Sequence, residues 1–168
     1  MMRTLYSKLI GLLAISLGFM ICACANTSLE DYVPNNQAEA DIVALLIRYQ
    51  NARKNFDLES YLDCLHDQGV FHYASRIMVS KQQLSALLPE FWMQLQKGSR
   101  SFFPMCRENL SGNYFVSFRL ANPKIIISQT TAEAVVTYVN TGWRLKHYIS
   151  LIKENNQWLI IRLDWETG

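Results

Sequence analysis

Between Ala38 and Lys54 the apolar residues Ile42, Leu45, Leu46 and Tyr49 recur at i, i+3, i+4 and i+7. That spacing predicts an amphipathic helix with one buried stripe, and Asn35 or Asn36 stands where a cap is needed. A second, shorter helix is predicted from Asp57 to His66, capped by Asp57 and burying Leu58, Tyr61, Leu62 and Leu65. Residues 69–74 read as a strand. Ser80 then opens a third helix that runs to Lys97 and stops at Gly98, and Pro89 inside it predicts a kink or a division.

From Tyr114 onward the period shortens to two. Segments 113–120, 124–129, 132–139, 143–153 and 158–165 are rich in Val, Ile, Tyr and Trp. Turn-prone Thr130-Thr131, residues 140–142 and Asn155-Asn156 separate them. Helices first and antiparallel strands afterwards predict an α+β domain whose helices cover one face of the sheet. A chain of 168 residues is long enough for one such domain and too short for two.

The N-terminus follows another pattern. Arg3 and Lys8 are its only charges, and 17 uncharged residues follow from Leu9 to Ala25. A basic start, an apolar middle and a small-residue end describe a secretory signal, although roughly 17 residues is also the lower limit for a membrane span. The tetrapeptide Ile21-Cys22-Ala23-Cys24 resembles a bacterial lipobox, with an aliphatic residue at −3 and a small one at −1. Cys24 fits as the lipidated residue, whereas Cys22 would put Ile21 where a small residue belongs. An uncleaved anchor is the competing reading. A metal-binding or redox Cys-x-Cys lacks neighbouring His or carboxylate ligands.

The lipobox resemblance implies a signal peptide over residues 1–23, a lipidated N-terminus and polar tether over 24–36, and a domain over 37–168. Ala25, where an aspartate would signal inner-membrane retention, favours the periplasmic side of the outer membrane. Several acyl chains, each contributing about 0.8 kcal/mol per buried methylene, hold such an N-terminus on a bilayer. Membrane, through this lipid, is the first expected partner.

Charge and the remaining cysteines narrow the picture. Without Arg3 and Lys8 the 16 Lys and Arg fall to 14, against 14 Asp and Glu, so the mature domain is neutral and lacks the electrostatic footprint of a nucleic-acid binder. Cys64 and Cys106 form one disulfide or remain two buried thiols; spacing does not decide. His66, His72 and His147 show no metal-ligand spacing, so no metal or other cofactor is expected. Asp63 and Asp67, with His66 beside them, read as a solvated helical pair. Arg100 and Arg107 flank residues 101–106 as loop charges or as a mouth for an anion.

Two stretches carry a resemblance to a known family. Residues 48–58 (RYQNARKNFDL) are similar to the helix–turn–helix opening of nuclear transport factor 2-like proteins, and residues 145–165 are similar to their closing hairpin with its final tryptophan. With the order of elements, the resemblance spans about residues 37–166. It implies a cone-shaped fold, with three N-terminal helices packed on a curved antiparallel sheet around a pocket. Laid on the ketosteroid isomerases of that family, the oxyanion tyrosine falls on Tyr49, the proton-abstracting acid on Tyr73 and the second oxyanion acid on Tyr148. A phenol with a pKa near 10 does not replace a carboxylate base at neutral pH, so isomerase chemistry is not expected.

With Tyr148 and Trp165 facing the helices, period two places Lys146, Ser150, Ile152, Ile161 and Leu163 inside. The pocket-lining candidates are therefore Tyr49, Tyr73, Lys146, Tyr148, Ser150 and Trp165, around a small apolar ligand. The same phase puts Trp143, Leu145, His147, Ile149, Leu151, Trp158 and Ile160 on the outer face, too apolar for bare solvent; the family resemblance implies a homodimer there, and a partner protein or a covering N-terminal segment would serve equally well. A one-residue slip reverses both sets. Three functions follow: a non-catalytic envelope lipoprotein binding a small ligand or protein partner, an enzyme of the same fold using tyrosines, or a structural module acting through the outer sheet face.

Overall fold

Asn36 fixes the start of the first helix, its extended backbone and side chain accepting the Glu39 amide at 2.9 Å. This satisfies one of the donors that a helix N-terminus leaves open. The computed structural model describes residues 26–74, 77–96, 118–140 and 143–165. From that cap, α1 (Gln37–Asn55) buries the predicted stripe of Ile42, Leu45, Leu46 and Tyr49. It ends at Phe56, whose φ of 55° is unusual for a bulky residue. The Phe56 ring packs edge-on against Trp92, with 5.8 Å between centroids.

Asp57 caps α2 (Leu58–Asp63), which is shorter than its pattern suggested because Leu65 already starts β1 (Leu65–Ala74). Asp63 and Asp67 therefore sit on different elements, and Asp67 pairs with Lys81 at 2.7 Å. A short β2 (Ile77–Ser80), unforeseen in the sequence, folds back on β1. Ser80 and Gln83 exchange reciprocal hydrogen bonds that open α3 (Lys81–Gln96), and Pro89 does not divide this helix.

The remaining strands are β3 (Arg119–Ser128), β4 (Thr131–Asn140), β5 (Trp143–Glu154) and β6 (Gln157–Trp165). Residues 113–117 of the expected segment 113–120 lie outside the described residues, and its last two, Arg119 and Leu120, belong to the same strand as the segment expected after Pro123. Asn122, at φ 50°, shifts the register without ending it, and proline is tolerated there because β3 is an edge strand.

Strand order is β2-β1-β6-β5-β4-β3 in a curved, open sheet. Two expectations need correction. The sheet is mixed, because β1 runs parallel to β6 while all other neighbours are antiparallel. The helices do not form an N-terminal block of three, because α3 lies between β2 and β3.

The phase of the sheet is also reversed from the one expected. His147, Ile149 and Leu151 are buried at 1% exposure or less, whereas Tyr148 is 42% exposed and Lys146 lies in solvent. Leu145 is partly buried against the core. On β6, Trp158 and Ile160 are buried together with Leu163. A bulge explains this: Leu151 pairs with Ile160 but Ser150 with Arg162, so Ile161 is an extra residue and the inward positions change parity across it. Trp158, Ile160, Leu163 and Trp165 consequently share one face, and Ile161 leaves the set expected to point inward. Gly69 of β1 meets this bulge, since an added Cβ would come within 2.8 Å of the Ile161 carbonyl oxygen and 2.2 Å of Phe71 Cζ. The side chain of Trp143 lies outside the described residues. The others of the expected outer-face set belong to the interior, so the homodimer expectation loses the side chains on which it rested.

The segment expected as a tether lies against the domain from Asn26 onward. Leu29 is 1% exposed within the core, and Ser28 bridges Ala121 of β3. Asn122 donates its backbone N–H to the Thr27 carbonyl at 2.8 Å and its side-chain amide to Asn26 Oδ1 at 2.9 Å. Gln50 joins three elements, donating to Glu30 Oε1 and accepting the Leu120 amide. Polar composition concealed the one buried leucine that anchors the segment.

Candidate functional site

Strand register sorts the helix-facing side chains into rows across the sheet. Ile127, Ala132, Leu151, Ile160 and Leu65 make one end, and Ile125, Ala134, Ile149, Leu163 and Phe71 the middle. At the other end stand Val136, His147 and Trp165, then Leu120, Tyr138 and Leu145. Polar atoms enter the interior at this last end.

Arg53 reaches it from α1. It lies one turn after Tyr49, so both project from the same helix face, and its Nη1 donates to Tyr49 Oη at 3.2 Å. The guanidinium carbon lies 4.7 Å from the Phe118 ring centroid, 5.8 Å from Tyr49 and 5.9 Å from Tyr138. Phe118 and Tyr138 stack at 4.7 Å and 9°. The ladder continues from Tyr138 to His147 at 5.2 Å, to Trp165 at 5.4 Å and to His72 at 4.3 Å. His72 Nδ1 stands 3.2 Å from Asp164 Oδ1. On the helix side Tyr49 contacts Tyr61, which meets Trp92 edge-on.

The electrostatics of this cluster are uneven. Arg53 is half-buried, and among the described residues no carboxylate lies within 4.0 Å of it. Its charge is met by aromatic faces, each worth about 0.5–2 kcal/mol. Burial pushes the Tyr61 phenol well above its ordinary range, and it raises that of Tyr138 against the opposing pull of Arg53. Burial, with repulsion from Arg53 and His72, lowers His147 to about 3. His147 is therefore neutral at physiological pH, and its Nδ1 has no hydrogen-bond partner among the described residues. The hydrogen bond from His72 holds Asp164 below the usual carboxylate range. One permanent cation, neutral phenols and a neutral imidazole suit recognition better than proton abstraction.

The sequence-predicted residues divide between the faces. Tyr49 is fully buried in the cluster and Trp165 lies within it. Tyr73 packs against Phe91 of α3, and its phenol is raised by burial. Lys146, Tyr148 and Ser150 line the outer face, where Ser150 donates to Glu133. This is the opposite of their expected direction, because the alternation was anchored on Tyr148. Cys64 is buried and has no disulfide among the described residues, its Sγ donating to the Ser60 carbonyl at 3.2 Å. Cys24, Arg100, Cys106 and Arg107 lie outside the described residues. Arg53 and Tyr138 were missed as site residues and His147 was assigned to the outer face, although Arg53 stands within the resembling stretch 48–58, four residues after Tyr49.

Comparison with known proteins assigns the architecture. No family model matches the chain, and a search of curated proteins finds no relative. Among solved structures, a nuclear transport factor 2-like protein of unknown function from Shewanella baltica is 17% identical at a TM-score of 0.54, covering 82% of this chain and 98% of its own. A nuclear transport factor 2-like protein from Cytophaga hutchinsonii is 16% identical with the same TM-score, covering 79% and 99%. A protein provisionally named a ketosteroid isomerase, from Shewanella frigidimarina, is 12% identical at 0.51, covering 74% and 93%. The fold is therefore nuclear transport factor 2-like, as the resemblance implied.

Proposed function

We propose that this chain is a cell-envelope lipoprotein whose nuclear transport factor 2-like domain is a non-catalytic module binding a small molecule on its helix-covered face. One observation carries the reading. The helix-covered interior places Arg53, Tyr49, Tyr138 and His147 around an aromatic ladder, and no carboxylate among the described residues lies within 4.0 Å of Arg53. Apolar walls with a few directed polar groups are the make-up of a small-molecule site.

The lipid anchor rests on Ile21-Cys22-Ala23-Cys24 and the uncharged run before it. Only Ala25 separates Cys24 from Asn26, which is hydrogen-bonded to Asn122. An acylated Cys24 would thus hold the β3 edge beside the bilayer, on the periplasmic side of an outer membrane. Radiolabelled palmitate should enter the wild-type protein and not a Cys24→Ser variant; equal labelling of both would remove the anchor. For the domain, Tyr49→Phe and Tyr73→Phe should leave any turnover unchanged, and a large loss of rate would return the reading to a tyrosine-dependent enzyme.

A further inference from the structure

We infer that Arg53 is the anion-binding group of this interior and that the ligand is a small carboxylic acid with an apolar body, bound as its carboxylate. The inference rests on the domain being a binding module. A guanidinium carries five N–H donors, and one of them is directed at Tyr49 Oη. Desolvated cations are normally matched by a carboxylate or phosphate, yet among the described residues Arg53 faces only aromatic rings and that phenol. Its half-burial keeps part of the side chain within reach from outside.

The charge balance favours a monoanion. Lys54 is the other cation near Phe118, at 5.9 Å from the ring, and its field already acts on Glu30. A single guanidinium matches the bidentate geometry of one carboxylate. Phe118 and Tyr138 supply apolar surface beside the cation. Beyond Tyr138, the Nδ1 of His147, a residue 1% exposed, has no partner among the described residues. A buried polar atom of that kind destabilises the protein if it is never matched. A hydrogen-bonding group on the ligand body would satisfy it.

Isothermal titration of the full-length protein in detergent, at pH 7, tests this with benzoate, phenylacetate and 4-phenylbutyrate, each beside its primary amide. At least one acid should bind about tenfold or more tightly than its amide, within concentrations up to about 10 mM. Arg53→Gln should abolish that difference, the acid falling to the affinity of its amide or below. Equal binding of acid and amide would overturn the carboxylate assignment and leave the binding module standing. Binding of neither would overturn both. If Arg53→Gln does not fold, phenylglyoxal modification of wild-type Arg53 replaces it. Protection by the acid alone supports the assignment, and equal labelling with acid or amide refutes it.

Discussion

The two ends of the concave face are built from one set of strands and do different work. At one end Leu151, Ile160 and Leu65 are each at most 1% exposed and present only carbon to α1 and α2. At the other, two strand steps away, the corresponding positions hold His147, Tyr138 and Trp165, with Arg53 descending from the helix. The aliphatic end gains stability from every methylene it buries, about 0.8 kcal/mol each. The polar end desolvates a cation and an imidazole without full hydrogen bonding, which costs free energy in the unliganded protein. The aliphatic end carries a smaller cost of the same kind at the buried Trp158 Nε1, which has no partner among the described residues, so what sets the polar end apart is a cation beside its unpartnered imidazole.

Truncating the aliphatic end should have the largest effect. Leu151→Ala and Ile160→Ala are each expected to cost about 2–5 kcal/mol, since both remove fully buried branched side chains. Tyr138→Phe, at the polar end, should cost less than about 1 kcal/mol, because it deletes only one hydroxyl. Urea unfolding of the three variants measures this contrast directly. Comparable losses at both ends would dissolve the distinction.

Acid sharpens the comparison next. His147 titrates near 3 in the folded protein and near 6.5 when unfolded. Between those values the unfolded chain binds a proton that the native one does not, so stability rises with pH across this window and is lost as pH falls from 6.5 towards 3. The slope attributable to His147 is at most about 1.4 kcal/mol per pH unit. Replacing His147 with Leu should flatten the profile there by up to that amount, and should raise stability at pH 7 by about 1 kcal/mol because an unpartnered polar atom is removed. Wild-type and His147→Leu profiles that run parallel from pH 6.5 to 4 would contradict the buried neutral imidazole.

Much of the fold could be read from periodicity, because α1 and the later strands bury long, regular stripes. Ile42, Leu45, Leu46 and Tyr49 fell where expected, and turns at Thr130-Thr131 and Asn155-Asn156 divided the strands correctly. What failed was phase. In residues 145–151 the apolar residues Leu145, Ile149 and Leu151 share one parity and the polar Lys146 and Ser150 the other, which by itself orients β5 correctly. The alternation was instead anchored on Tyr148, through its match to an isomerase acid, and the whole strand turned over. On β6 no pattern reveals Ile161 as a bulge; it becomes visible only where Gly69 lets β1 approach that carbonyl. The site was harder still, since Arg53, Phe118, Tyr138 and His147 come from separate elements and meet only through tertiary packing.

The smallest expected effect tests that phase. Tyr148 is 42% exposed on the outer face, opposite Val135 and Asp164 in the register. Its hydroxyl has water available in both folded and unfolded states, so Tyr148→Phe should change stability by no more than about 0.5 kcal/mol. Binding of an aromatic acid to the polar end should be unaltered, whereas Tyr49→Phe removes the phenol that shares the Arg53 guanidinium and should weaken it. Measured together, the two tyrosines separate the faces of the sheet. A Tyr148→Phe variant that lost affinity as strongly as Tyr49→Phe would place its hydroxyl inside and reverse the orientation of β5, which the burial of His147, Ile149 and Leu151 opposes at three successive inward positions.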